Sequence, residues 1–535
     1  MSAETPDASK PEAAPAGLSP AAGHVVRGTL YLAVARVATL SVSLISMAIL
    51  ARLLTPADFG MMTAALIIMN LPAVIYEGAF SLLLVQRKEI DSEFIKLSFW
   101  MALGVALAAM LALIAAAPLV ESFFGFAGLG LVIMAVSVTL PLKAASSISL
   151  GLLRREHRFA AVATMFFFAG GVGNILVAAP LAYMGFGVWA LAIGAIVSHA
   201  LEAIAGYAVA RFPLSPPKHW KRGEGVGRAS ALFTATQLLN FMALCTPNFI
   251  IGKFMGAGAL GLYSRSTRIL DIAIDGAANP IQQTLIPAFS RMQDDLTRSR
   301  HAFERALSLA LLLFGALAAF VIVEAEAAIR ILMGPDWLSI VLPVQVLFAA
   351  FAPRAAYRLC ESLAFGQGRA GRTAAMQALY LGLMVVGSFA GLAHGVTGVA
   401  IGIAAGLWIF YLAALAMAAR LVNSGPSALA IMHGRALAAA LIVGLSGWLV
   451  IEAASGAGFW ISHILGGFGC IAGGALVFFA PAKIMGEDFV WARTQIIALA
   501  RKLYARIAPP ARTLCARTVT FARKLYARLR PASGE

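Results

Sequence analysis

The chain has 535 residues, of which 60% are hydrophobic and 12% charged, with a net charge of +16 and a mean hydropathy of +0.85. A soluble domain keeps about a quarter of its residues charged so that its surface is wetted; this chain has half that, so most of its surface has to face lipid, and no polar stretch is long enough to form a soluble domain. Its four cysteines (Cys245, Cys360, Cys470 and Cys515) are far apart, with no CxxC and no neighbouring histidine pair, so neither a disulfide framework nor a metal site is expected.

Residues 1–26, rich in Ala, Pro, Ser and Glu, read as a disordered tail; they lack the basic start and short apolar core of a signal peptide. About fourteen apolar segments follow, each of about 20 residues or more, the length a helix needs to cross ~30 Å of hydrocarbon. Their expected bounds are 28–51, 57–85, 94–118, 126–152, 159–182, 186–210, 229–253, 259–288, 303–325, 337–364, 371–393, 395–420, 431–453 and 459–483. One joint occurs twice. Arg52-Leu53-Leu54-Thr55-Pro56-Ala57-Asp58-Phe59-Gly60 links the first and second segments, and Lys253-Phe254-Met255-Gly256-Ala257-Gly258-Ala259-Leu260-Gly261 links the seventh and eighth, in register at an offset of 201 residues. A joint repeated six segments later implies two related halves, and two halves in a bilayer point to alternating access and a transporter.

The charges sort by side. With the N-terminus inside, the inner loops hold twenty Lys and Arg and the outer loops three (Arg52, Lys253 and Arg330), as the positive-inside rule requires. That arrangement puts both termini in the cytoplasm. The longest inner loop, 211–228, is a Pro-, Gly- and basic-rich linker between the halves. The stretch 485–535 repeats Ala-Arg-Lys-Leu-Tyr-Ala-Arg and reads as a basic amphipathic tail on anionic inner-leaflet lipid. A tail tethered to a membrane already has an anionic partner, so no nucleic acid is expected.

Ionisable groups inside spans are costly and mark functional candidates. They are Arg36 in the first span, Glu77 in the second, Lys143 beside Pro141 in the fourth, and His199 and Glu202 in the sixth. In the eighth, Arg265, Arg268, Asp271 and Asp275 share an arc of about 120°; in the tenth, Arg354, Arg358 and Glu361 do so over about 60°. Such faces line a wet cavity or pair across the interior. Arg268–Asp271 and Arg358–Glu361, each three apart, could equally be ion pairs that hold the bundle together. Glu324 and Glu326, near the end of the ninth span, read as interfacial. A positive excess suits an anion, and arginine suits phosphate because its planar fork makes paired hydrogen bonds while staying charged.

Ile49-Leu50-Ala51-Arg52-Leu53-Leu54-Thr55-Pro56-Ala57-Asp58-Phe59-Gly60, followed by Glu77-Gly78 and Leu84-Val85-Gln86-Arg87-Lys88, resembles the opening of Wzx-type polysaccharide flippases. These form the polysaccharide transporter branch of the multidrug/oligosaccharidyl-lipid/polysaccharide (MOP) exporter superfamily. Gly151-Leu152-Leu153-Arg154-Arg155-Glu156-His157-Arg158-Phe159 and Ile286-Pro287-Ala288-Phe289-Ser290-Arg291 are similar to the same family, and the likeness covers roughly 27–485. It implies an all-α polytopic membrane protein of about fourteen helices. Two six-helix bundles (27–210 and 229–420) would surround a central cavity, with helices 13–14 outside them in 421–484.

The resemblance further implies a flippase that carries undecaprenyl-diphosphate-linked oligosaccharide across the bacterial inner membrane for lipopolysaccharide, capsule or exopolysaccharide synthesis, near a polymerase and a chain-length regulator. On that reading Arg36, Lys143, Arg268, Arg354 and Arg358 contact the headgroup, Glu77, Asp271, Asp275 and Glu361 couple or gate, and Arg52 and Lys253 form the inter-helix joints. No catalytic residue and no cofactor is expected; the carboxylates could take up a proton or sodium ion. A drug/cation antiporter of the superfamily usually has twelve spans and an acidic cavity, and the arginine excess weighs against it. A lipid II flippase is nearer in architecture, but the Arg52–Pro56 joint favours the polysaccharide branch. A membrane polymerase or glycosyltransferase would need large periplasmic loops or acidic metal or nucleotide motifs, and neither is visible.

Overall fold

In a computed structural model the described residues are 38–76, 90–156, 158–218 and 226–481, with a few positions between 490 and 497. All regular structure among them is helical. In chain order the helices are α1 (Ala38–Leu53), α2 (Pro56–Tyr76), α3 (Ser92–Phe124), α4 (Leu129–Arg155), α5 (Ala160–Tyr183) and α6 (Val188–Ala210). A continuous helical run then breaks at Gly256 into α7 (226–255) and α8 (257–291). They are followed by α9 (Leu296–Leu332), α10 (Pro335–Gly366), α11 (Ala370–Gly391), α12 (Gly395–Val422), α13 (Pro426–Ala453) and α14 (Phe459–Phe479). The tails 1–26 and 485–535, apart from those few positions, and the repeated heptapeptide lie outside the described residues.

Ten helices among the described residues are long and apolar enough to cross a bilayer. Two of them, Ala235–Arg291 and Gly371–Val422, run 57 and 52 residues. At about 1.5 Å per residue each is long enough for two passages, and each is interrupted midway: the first at Gly256, with φ 88°, the second at Gly395, with φ 69°. Only glycine enters that region without strain.

Local chemistry sets the ends. Asp91 caps α3 by accepting from the Phe94 amide, and Asp295 caps α9 by accepting from the Arg298 amide. Thr55 and Asp58 cap the start of α2 reciprocally: the Thr55 amide donates to Asp58 Oδ2 at 2.9 Å and the Asp58 amide to Thr55 Oγ1 at 3.3 Å. The α3–α4 turn folds over the Glu121 carboxylate, which accepts from the amides of Gly128 and Gly130 at 2.9 and 2.8 Å.

Packing relies on small residues, because lipid supplies no hydrophobic drive between helices already in the bilayer. The α11–α12 seam is the plainest case. A Cβ on Gly387 or Gly402 would overlap the facing glycine's carbonyl, and the same holds for Gly391 and Gly398. The most extensive contact joins α2 to the α7–α8 run, and α13–α14 form a hairpin docked on α9.

One expectation is corrected. Glu324 is buried, not interfacial; its Oε2 lies 3.0 Å from His463 Nδ1 on α14. A Cβ on Gly466 would come within 2.9 Å of Glu324 Oε1, so that glycine opens the notch that admits the carboxylate. Glu326 pairs with Arg330 at 2.8 Å in a partly exposed position.

Candidate functional site

The two copies of the joint meet. A Cβ on Gly60 would overlap the carbonyl of Ala257, and one on Gly261 would overlap the carbonyl of Pro56. Pro56 and Ala257, like Gly60 and Gly261, stand 201 residues apart, so the contact is reciprocal about a pseudo-two-fold axis. The basic joint residues cross the same axis. Arg52 Nη2 donates to the carbonyl of Ile331 at 2.6 Å, and Lys253 Nζ donates to that of Phe123 while lying over the Phe123 ring. Each acceptor is the penultimate residue of the third helix of the opposite half, α9 or α3, where a helix presents unpaired carbonyls and a partial negative charge. Buried Trp337 seals the contact, donating from Nε1 to the carbonyl of Ala51 at 2.7 Å with its ring edge-on to Phe59. The joint end of the molecule is closed.

Behind this closure lies a polar cavity of about 260 Å³ between α1, α2, α5, α6 and α8. Ser43, Ser46, Asn174, His199, Arg265 and Arg268 line it. Arg265 lies over the Phe59 ring, 4.6 Å from its centroid, and its buried Nε has no hydrogen-bond partner. Neither Arg265 nor Arg268 pairs with an acid among the described residues. The arrangement holds two adjacent cations facing a polar space, which favours an anion. His199 joins the wall with its Nδ1 held by Glu202 at 2.9 Å.

The acids that sequence spacing offers to these arginines are taken elsewhere. Asp271 does not pair with Arg268; its Oδ1 accepts from Arg354 Nη2 of α10 at 2.9 Å. Arg358 does pair with Glu361, at 3.2 Å, inside a network in which Glu361 also accepts from Gln282 Nε2 at 2.7 Å and from the Tyr357 hydroxyl at 3.1 Å. Asp275 accepts from Asn279 Nδ2 at 2.8 Å across the π-helical turn Ile274–Ala278. Lys143 donates to Asn70 Oδ1 at 2.9 Å, joining α4 to α2 away from the arginine pair. Arg36 and Glu77 lie outside the described residues. Arg265 is the residue that the site assignment from sequence passes over. It sits one turn before Arg268 on the charged face, so the helical period carried the signal.

A second cavity, of about 950 Å³ and largely apolar, opens between α9, α10, α12, α13 and α14. Gly315, Gly444, Trp408, Trp448 and Leu441 line it, with the polar groups Glu326, Gln345, His433 and His463 at intervals.

The fold, with its ten apolar helices of membrane-spanning length among the described residues, is that of a polytopic membrane protein. The polysaccharide biosynthesis protein family is matched over residues 49–342, and the chain belongs to it. It is 25% identical over 313 residues to the succinoglycan biosynthesis transport protein ExoT of Rhizobium meliloti (strain 1021), a match covering 58% of this chain and 63% of that protein. It is 24% identical over 336 residues to the lipopolysaccharide biosynthesis protein WzxC of Escherichia coli (strain K12), covering 60% and 66% respectively. The chain thus spans just under two thirds of each of these relatives. Among solved structures, the lipid II flippase MurJ in an inward closed conformation superposes with a TM-score of 0.69 at 14% identity, over 85% of this chain and 99% of that one. An inward-facing multidrug resistance MATE family transporter gives 0.60 at 15% identity, over 73% and 98%. Those likenesses establish the fold.

Proposed function

We propose that the protein is a flippase that moves undecaprenyl-diphosphate-linked oligosaccharide from the cytoplasmic to the periplasmic leaflet of the bacterial inner membrane by alternating access, with both termini cytoplasmic. The product would feed lipopolysaccharide, capsule or exopolysaccharide synthesis. The observation that carries this reading is the pair Arg265 and Arg268, two cations with no acid partner among the described residues, in a cavity with polar lining between the halves. A diphosphate replaces the water it loses on entering such a cavity with paired guanidinium hydrogen bonds. The apolar cavity beside α13 and α14 accommodates hydrocarbon, so the polyprenyl chain can stay out of the aqueous path. The closed joint end is, in this orientation, the periplasmic side, which fits a state that receives substrate from the cytoplasmic leaflet. Partners of this reading are anionic inner-leaflet lipid along the basic tail, a polymerase and a chain-length regulator. A proton or sodium ion taken up by Asp275, Glu77, Asp271 or Glu361 would couple the cycle to a gradient. The protein does no covalent chemistry on its cargo.

The test is flipping of a fluorescent undecaprenyl-diphosphate oligosaccharide in reconstituted vesicles. Wild type flips it, and Arg265→Ala and Arg268→Ala stop flipping while remaining folded. Transport of a cationic dye without any lipid-linked glycan would replace the flippase reading with that of a drug/cation antiporter.

A further inference from the structure

Among the described residues that line the arginine cavity, His199 is the side chain that can gain or lose a charge near neutral pH. Leu191, Ala195 and His199, four residues apart in turn, form the cavity face of α6, so the first half presents an imidazole to the arginines of the second. The other polar groups from the first half, Ser43, Ser46, Thr63 and Asn174, are neutral. Glu202, one turn along α6, holds the ring by Nδ1 at 2.9 Å. A carboxylate only accepts, so Nδ1 carries a hydrogen and Nε2 is the free position. Nε2 makes no hydrogen bond among the described residues, and the side chain is 22% exposed. Two further lining atoms, Ser46 Oγ from one half and Arg265 Nε from the other, are buried with no hydrogen-bond partner among the described residues. A buried polar atom left unpaired is costly, and a ligand between the two halves relieves it.

With Nδ1–H fixed by Glu202, a neutral ring offers only a lone pair at Nε2, and that lone pair repels a phosphate oxygen. A protonated ring donates from Nε2 instead. Charge counting selects the protonated form once cargo is present. The two guanidinium cations and the single Glu202 carboxylate leave the empty cavity with one positive charge in excess. A diphosphate esterified at both ends brings one negative charge on each phosphate, which overshoots to one negative. A proton on His199 restores neutrality, and an unbalanced charge away from water is costly. The empty cavity has the opposite bias, because the arginine pair opposes a third cation beside it.

We infer that His199 is the first half's ligand to the diphosphate, and that cargo binds together with one proton at Nε2. The proton comes from solvent, forms the Nε2–H bond, and is donated as a hydrogen bond to a phosphate oxygen while Glu202 steadies the ring from Nδ1. Arg265 and Arg268 hold the same anion from the second half, so the cargo joins the two halves. The inference rests on the flippase reading and adds to it a ligand and a proton. The charged groups that face His199 are Glu202 on its own helix and Arg265 and Arg268 on α8; α1, α2 and α5 bring none to the cavity among the described residues.

The experiment is isothermal titration calorimetry on the full-length protein in nanodiscs, with undecaprenyl-diphospho-glucose as the probe. Binding enthalpies in buffers of different ionisation enthalpy give the protons taken up. The probe is a diphosphate diester, so its own charge stays constant between about pH 6 and 9. Wild type is expected to take up about one proton per lipid bound, with affinity falling about tenfold per pH unit on the alkaline side. His199→Gln keeps a polar side chain that cannot titrate: uptake vanishes, the pH profile is flat, and affinity near neutral pH drops about tenfold. Glu202→Gln removes the charge that the proton offsets, so it binds the lipid without uptake. Arg268→Ala weakens binding at every pH. Wild-type binding with no uptake and a flat profile, or unchanged uptake in His199→Gln, overturns the inference and leaves the flippase reading in place. If wild type does not bind the probe at all, the flippase reading fails and the inference falls with it.

Discussion

The contact between Gly60 and Gly261 makes a sharp prediction about how the halves move. In the closed joint a methyl group at Gly60 falls on the Ala257 carbonyl, and one at Gly261 falls on the Pro56 carbonyl. Both acceptors are backbone atoms in helices, so no side chain can swing aside to make room. Forcing a methyl into a packed contact of this kind costs about 1–3 kcal/mol. The cost applies only while the joint is closed, since separated halves leave each glycine facing open space. Gly60→Ala alone therefore shifts the closed-to-open ratio by about 5- to 150-fold. The assay is a distance measurement by pulsed electron spin resonance in nanodiscs, with labels at Leu53 and Phe254, both exposed on the joints, in a chain whose native cysteines are replaced. Wild type gives one short distance; Gly60→Ala and Gly261→Ala add a population at longer distance. Gly104→Ala is the control, because a Cβ there meets nothing within 4 Å. Identical distributions in wild type and both joint variants, or a loss of thermal stability with no new distance, would refute the reasoning.

The crossing clasps should act in the same direction but more weakly. Arg52→Ala and Lys253→Ala each remove a partly solvated cation from a helix C-terminus, worth about 0.3–1 kcal/mol, so each shifts the same distance ratio by about 2- to 5-fold and less at high salt. Trp337→Phe keeps the edge-on ring against Phe59 but strands the buried Ala51 carbonyl; a loss of about 1–3 kcal/mol should appear as a lower unfolding temperature in detergent. Gly402→Val drives a side chain into the Gly387 carbonyl and should lower yield and unfolding temperature, whereas Gly382→Val, with open space at its Cβ, should do neither.

Much was legible before any coordinates, and for a physical reason. A bilayer imposes its demands segment by segment, through length, apolarity and the side on which basic residues stay, and each is a local property of the chain. So the all-helical membrane class, the repeated joint and the charged face of α8 could be read directly. The family followed from the joint's residues. What required tertiary structure was the answering of charges, because that depends on how each helix is rotated against helices distant in sequence. Spacing along α8 offered Asp271 to Arg268, three residues away, yet α10 approaches closely enough for Arg354 to take it, and Arg268 and Arg265 are left facing the cavity. Glu324 read as interfacial from its place near a helix end, until Gly466 and His463 of α14 proved to enclose it. The 201-residue repeat announced two related halves; only their packing revealed that the two copies touch, glycine against carbonyl, and that each cation clasps the opposite half.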